Sequence, residues 1–402
     1  MKIVDVSEFY SPTGGGVRAY VEQKFMMAAK LGHELTVIAP GKTAHVEPRE
    51  GGKIVWLETP QLPFDKNYRT FWGAADVIAA IEAEKPDVLE GSSPYTGGYY
   101  TAKWTGDAVK MLFMHADPVA VYPQTLLAGK LRPATIDRLF GWYWSYLRRL
   151  AGRYDGCVVA GHWLARRFEK YGLKNLHVVP FGVERGAFKP GLRDEGLRAA
   201  MLKQCGLGPD AALVLNVGRF HPEKRVGMLI ETVAKAQHTR PMGFYVVGDG
   251  FIRASVEAKA ATVPHVHLAG WLKDRETLAR TIASADVVLH GSSAETYGFS
   301  VAEALCCGTP VVVPDTGGAA DLADPTCAET YIAGNPDDGA AALLKLLARD
   351  RATLSAAAAS LAAERIGDIE SHFVKLFALY AEAVETRRAA TKARTVCCGC
   401  CD

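Results

Sequence analysis

The chain has 402 residues, a net charge of +2 and a hydrophobic fraction of 49%, ordinary values for a soluble globular protein. That length allows roughly two or three domains, each able to bury its own core. The near-neutral balance offers no whole-protein field for nucleic acid, and no apolar run approaches the about 18 residues that cross a membrane.

The opening MKIVDVSEFY has neither the basic nor the apolar region of a secretory signal and reads at once as a strand, so a cytoplasmic chain is expected. A helix follows from about Val17 to Leu31, then the apolar runs ELTVIAP and KIVWLE. AADVIAAIEAEK has helical periodicity, and DVLEGSS, AVKMLFMH, DGCVVAG and LHVVPFG read as further strands. Continuous Val- and Ile-rich strands separated by helices predict a parallel sheet covered on both faces. The pattern then restarts. A polar helical segment, GLRDEGLRAAMLKQCGLG, leads to ALVLNVGRF, GFYVVGDG, VHLAGW, ADVVLHGSS and TPVVVPD.

The expected organisation is therefore an α/β domain over 1–188, a second over 189–368, and a long amphipathic helix over 369–388 that returns to the first. Residues 389–402 read as a disordered tail whose Cys397, Cys398, Cys400 and Cys401 stand too close for an ordinary zinc site. The other five cysteines read as small buried hydrophobes.

Ligands of such sheets bind beyond the carboxyl ends of the strands, and four loops there carry chemistry. In SPTGGGVRAY, Gly14, Gly16 and Ala19 fit G-x-G-x-x-A. A dinucleotide site is disfavoured, because the glycines do not follow the strand directly and the next strand ends in Pro40 where an acid should hold the ribose. The loop instead suits close backbone approach to an anion or sugar at a helix start. In NVGRFHPEKR, Arg219 and Lys224 stand between a strand end and a helix start, a fit for a diphosphate. Gly248 in VVGDGF offers backbone contact to a ring or ribose. The fourth loop, HGSSAETYGFSVAEALCCGTP, carries Glu295 before Gly298 and Glu303 on a helix. Ser300 to Glu303 fits a capping box, which needs no ligand. It leaves Glu295 unexplained, and a carboxylate can accept two hydroxyls of a sugar or ribose. Two acids flanking free amides would read a nucleotide sugar.

These motifs resemble those of the retaining glycosyltransferases of the GT-B fold, family four: E-x7-E with its trailing G-x-P-V-V and GG, the Arg/Lys motif VGRFHPEK, the loop GGGVRAYVEQ, and VVPFGVERGAF where the first domain ends. The resemblance runs along almost the whole chain in order. It implies two Rossmann-like domains facing across a cleft. It also implies hexosyl transfer from a UDP- or GDP-sugar to a lipid, lipid-linked or saccharide acceptor in glycolipid or envelope polysaccharide synthesis. Glu303 would hold the donor ribose and Glu295 its hexose, with Arg219 and Lys224 on the diphosphate. Tyr297, Gly298, Phe299 and Ser300 would give contacts around the helix start, and Gly15 and Gly16 would approach from the other domain. Gly218, Gly248 and Leu272 complete the donor-binding set, and His115 would stand beside the hexose. No cofactor or metal is expected, because no D-x-D motif lies in a suitable loop and Arg219 with Lys224 can take a cation's part.

Four positions depart from the family pattern: Gly161 where serine is frequent, Glu184 for Asp, Asp321 for Glu, and Arg225 where glycine is usual. A nucleotide-sugar 2-epimerase on the same plan and a non-catalytic nucleotide-sugar-binding protein are the competing readings. In RLFGWYWSYLRRLAGRYDG, Phe140, Trp142, Tyr143, Trp144 and Tyr146 mix with Arg148, Arg149 and Arg153. That mixture suits peripheral contact with an anionic membrane or, equally, a core-packed helix whose arginines reach solvent.

Overall fold

The computed structural model describes residues 1–12, 16–62 and 68–398, the last six by backbone alone. The first domain holds β1 (Lys2–Val6), β2 (Glu34–Gly41), β3 (His45–Arg49), β4 (Gly52–Glu58), β5 (Val88–Gly91), β6 (Val109–Met114), β7 (Gly156–Val159) and β8 (Leu176–Val178). They form one sheet in the order β3-β4-β2-β1-β5-β6-β7-β8. All pairs are parallel except β3 with β4. The wholly parallel sheet expected is thus corrected at its edge. HVEPR carries charge and a proline, which suit an exposed edge strand and hide it from a search for apolar runs.

The second domain holds β9 (Ala212–Val217), β10 (Met242–Val247), β11 (Val266–Gly270), β12 (Val287–Leu289), β13 (Val311–Pro314) and β14 (Ala328–Tyr331), all parallel, in the order β11-β10-β9-β12-β13-β14. Strand order reverses between β1 and β5 in the first sheet and between β9 and β12 in the second, which marks one crevice at the carboxyl ends of each.

The chain passes between domains twice, and the two passages touch in a bridge between Val183 and Asp368. The final helix, Ile369–Cys398, then lies on the first domain. It buries Phe373, Leu376, Phe377, Tyr380 and Val384 in the cluster that contains Ile3, Phe25 and Phe113. Tyr380 donates to Glu90 Oε2 at 2.5 Å, and Arg387 and Arg388 pair with Asp155 at 2.7 Å and Asp87 at 2.8 Å. The expected end of this helix at residue 388 is corrected. It runs to Cys398, so most of the supposed disordered tail is helical, and Cys400 and Cys401 lie outside the described residues. Among the described residues no helix is long and apolar enough to cross a membrane.

Candidate active site

The second-domain crevice gathers most of the residues singled out in the sequence. Gly218 follows β9 and Gly248 follows β10; their amides donate to Val247 O at 3.0 Å and Gly270 O at 2.8 Å, which sets the two loops side by side. Leu272 follows β11 and packs half-buried at the core's edge. Arg219 is exposed, and its guanidinium has no hydrogen bond or ion pair among the described residues. Pro222–Lys224 is one 3-10 turn, and Arg225 caps the next helix, Val226–Gln237, with φ 50°. The residue that replaces the usual glycine thus adopts a left-handed conformation that glycine adopts without strain. Its Nη1 is buried and has no partner among the described residues.

Lys224 is not free. Its ammonium forms an ion pair with Glu295, and Glu223 lies 3.6 Å away. Burial opposes charge on both members. The Glu295 carboxylate nevertheless holds the Lys224 pKa above its ordinary value. Against the same burial, Lys224, with His290 and Arg219, draws Glu295 down to about 2. The sequence placed these two groups at opposite ends of a donor; in the structure they neutralise each other.

Gly298 begins the helix Phe299–Cys306 with φ 91°, and a Cβ there would lie 3.1 Å from the Ala319 Cα. Because the helix starts at Phe299, Ser300 is already inside its first turn and the expected capping box does not form. Glu303 instead meets Arg275 Nη2 at 3.0 Å, and Arg275 also reaches Glu184 at 3.3 Å. Burial pushes Glu303 up to about 7 against the pull of Arg275. Tyr297 and Phe299 pack on Phe181, with ring centroids 5.8 and 5.2 Å apart, where the first domain ends.

The first domain contributes His115 after β6. Its ring stacks on Phe113 at 4.3 Å with Tyr20 at 5.3 Å, and burial lowers its pKa to about 4. Its carbonyl accepts from Thr296 Oγ1 at 3.1 Å, which brings the strand end of one domain against the Glu295 loop of the other. Gly16 opens the first helix, Gly16–Lys30, with open space where a Cβ would project; Gly15 lies outside the described residues.

Two departures from the family pattern meet. A Cβ on Gly161 would come within 2.7 Å of Thr296 O and 3.2 Å of Asp321 Oδ2. The shorter side chain of Asp321 accepts from the Trp163 amide at 2.5 Å and pairs with Arg166 at 2.7 Å. Glycine on one side and aspartate on the other let the domains approach closely here. Sequence reasoning missed Arg275 and His290. Arg275 opens the helix Arg275–Ser284 that follows β11, with no motif to mark it. His290 had one visible signal: it is the single polar residue that ends the apolar run ADVVLH.

Comparison with known proteins agrees with this architecture. The model described as Glycosyltransferase Family 4 matches residues 14–186, and that described as Glycosyl transferases group 1 matches residues 211–349. The chain belongs to the family-four glycosyltransferases and has their GT-B fold. It is 29% identical over 324 residues, 80% of this chain and 81% of the relative, to a GDP-mannose-dependent alpha-(1-6)-phosphatidylinositol dimannoside mannosyltransferase of Mycobacterium tuberculosis. It is 27% identical to a GDP-mannose-dependent alpha-mannosyltransferase of Mycolicibacterium smegmatis, over 81% of this chain and 82% of that one. Among solved structures, sucrose-phosphate synthase from Thermosynechococcus elongatus superposes with a TM-score of 0.74 at 18% identity, over 96% of this chain and 99% of that one. The protein is a glycosyltransferase.

Proposed function

We propose that the protein is a retaining mannosyltransferase that takes GDP-mannose and glycosylates an inositol-containing glycolipid. The observation that carries the reading is the grouping of Arg219, Lys224 and Glu295 around the β9/β12 crevice. The names of the two mycobacterial relatives favour mannose and GDP over the UDP-sugar alternative. Cleavage of the bond between the sugar C1 and the diphosphate oxygen leaves positive charge on the ring and negative charge on the departing oxygen. Arg219 and Lys224 meet that oxygen together with the amides at the start of the Phe299–Cys306 helix, and fixed donors of this kind stabilise the transition state. The acceptor hydroxyl attacks from the same face and gives its proton to the departing phosphate. Glu295 holds hexose hydroxyls, Glu303 the ribose, and neutral His115 the hexose from across the cleft. The two cations supply the positive charge, so no metal is required.

The test is turnover of a panel of nucleotide sugars, first without and then with phosphatidylinositol and its mannosides. Release of GDP that depends on a lipid acceptor supports the reading. Sugar isomerised in the absence of acceptor would establish the epimerase.

The lipid acceptor places the enzyme at a membrane surface. Of the six aromatics in RLFGWYWSYLRRLAGRYDG only Trp142 is well exposed, whereas Trp144 is buried against Tyr171 at 4.0 Å. Leu126, Leu131 and Leu139 are exposed nearby in sequence, and Lys130, Arg132 and Arg138 lie among them, which supports docking on anionic lipid. Flotation that fails to distinguish anionic from neutral vesicles would remove this support.

A further inference from the structure

Glu295 has a neighbour for which the donor motif gives no reason. His290 follows β12 with its side chain only 3% exposed. Its backbone is pinned on both sides: the amide donates to Val312 O at 2.8 Å, and the carbonyl accepts from Tyr331 Oη at 2.7 Å. Nδ1 lies 3.5 Å from Ser300 Oγ. Nε2 is buried, has no hydrogen-bond partner among the described residues, and stands 3.7 Å from Glu295 Oε1. The charged groups facing the ring are Glu295, Lys224 and Glu223, with the Ser292 backbone beside it. Burial lowers the pKa of the ring, so it is neutral and carries one N–H. If the Ser300 hydroxyl is the donor to Nδ1, the ring proton stands on Nε2, facing the carboxylate.

Lys224 occupies Glu295. A diphosphate that takes the ammonium leaves a buried carboxylate without a fixed partner at the moment it must hold hexose hydroxyls. We propose that His290 is a positioning residue that relays between Ser300 and Glu295, its Nε2–H taking the carboxylate when Lys224 moves to the donor diphosphate. The proposal rests on the donor reading above. It ties the sugar-binding acid to the helix start that meets the phosphate, so that filling one end of the site sets the other.

The experiment uses the full chain with GDP-mannose and free GDP, comparing wild type with His290→Leu and His290→Gln. Glutamine places an amide nitrogen where Nε2 stands; leucine fills the space without a donor. A hydrogen bond to a charged group is worth enough to lower kcat/KM for GDP-mannose about 10- to 100-fold in His290→Leu. Affinity for free GDP should fall in His290→Leu as well, because its diphosphate also draws Lys224 away from Glu295, and His290→Gln should recover most of both losses. In the leucine background, Glu295→Gln should cost less than it does alone, because the two residues act as one unit. Equal losses in both variants, or a free-GDP affinity that His290→Leu leaves unchanged, would overturn the proposal. If wild type turns over no nucleotide sugar, the functional reading fails. The imidazole 15N spectrum of the free protein then judges His290 separately: a neutral Nε2–H tautomer sustains the relay, and an Nδ1–H or doubly protonated ring ends it.

Discussion

Each half of the molecule has a crevice where its strand order reverses, and the two use charge in opposite ways. In the second domain, Arg219 has no ion pair among the described residues, and Lys224 and Glu295 hold one another in a pair that faces the cleft. In the first, Glu8 follows β1 and accepts from Thr70 Oγ1 at 2.6 Å, Thr96 Oγ1 at 2.5 Å, the Gly97 amide at 3.0 Å and Ser93 Oγ at 3.4 Å. Below it Lys24 lies between Asp5 at 2.8 Å and Glu90 at 2.6 Å, all three inaccessible to solvent. The same side-chain types at equivalent topological positions stitch loops together in one half and face the cleft in the other. The number of internal partners, more than the position itself, separates a structural charge from one held ready for substrate.

That contrast can be broken most sharply at Lys24. Burial raises the Asp5 pKa, and the two carboxylates keep Lys24 charged above its ordinary value despite the same burial. Lys24→Met should therefore cost about 3–5 kcal/mol in urea unfolding, because it leaves two carboxylates buried without a counter-charge. A loss under about 1 kcal/mol would place Lys24 in the same class as the cleft residues. Arg219→Ala should do the reverse, with turnover down about 10²–10³-fold and stability within about 0.5 kcal/mol of wild type. Lys224→Ala should lose the same rate and also some stability. Its partner Glu295 has a folded-state pKa of about 2 against an ordinary 4.5, so the stability from the pair is full above pH 4.5 and is lost as pH falls towards 2. The deficit of the variant should shrink over that same window in pH-dependent unfolding. The mildest test concerns Glu303, held at about 7. If only the carboxylate form receives the ribose, the Kd for GDP-mannose should fall about tenfold between pH 6 and pH 8. The diester diphosphate of the donor does not titrate there, so Glu303→Gln should flatten the profile in calorimetric titration.

The two halves also differed in how far the sequence disclosed them. Arg219, Lys224 and Glu295 were legible because each stands in a polar loop directly after an apolar strand, where a charge has few structural reasons to be. The two-sheet architecture was legible for a related reason: buried parallel strands are unbroken apolar runs. Glu303 was half legible. The S-x-x-E spacing suggested a cap, but Gly298 in a left-handed conformation starts the helix before Ser300 and turns the carboxylate towards Arg275. Arg275 itself is 28 residues away at the start of another helix, a pairing only the fold creates. The networks around Glu8 and Lys24 join residues from four or five separate segments, and no local pattern foretells them. The aromatic helix was ambiguous for a geometric reason: its 3.6-residue period sends Trp142 and Trp144 to different faces, and composition does not separate them.

The return of the last helix to the first domain bears on the order in which the protein can be made. Tyr380 reaches Glu90, and His372 meets Pro180 O at 2.8 Å and Tyr20 Oη at 3.2 Å, so the final helix seals the charged cluster around Lys24. A growing chain exposes β1 to β8 first, yet their covering helix emerges only after the whole second domain. At ordinary synthesis rates that delay is on the order of ten seconds or more. During it the first sheet carries an open apolar face and a wet Lys24–Asp5–Glu90 cluster. The first domain therefore completes its core only when the last helix docks.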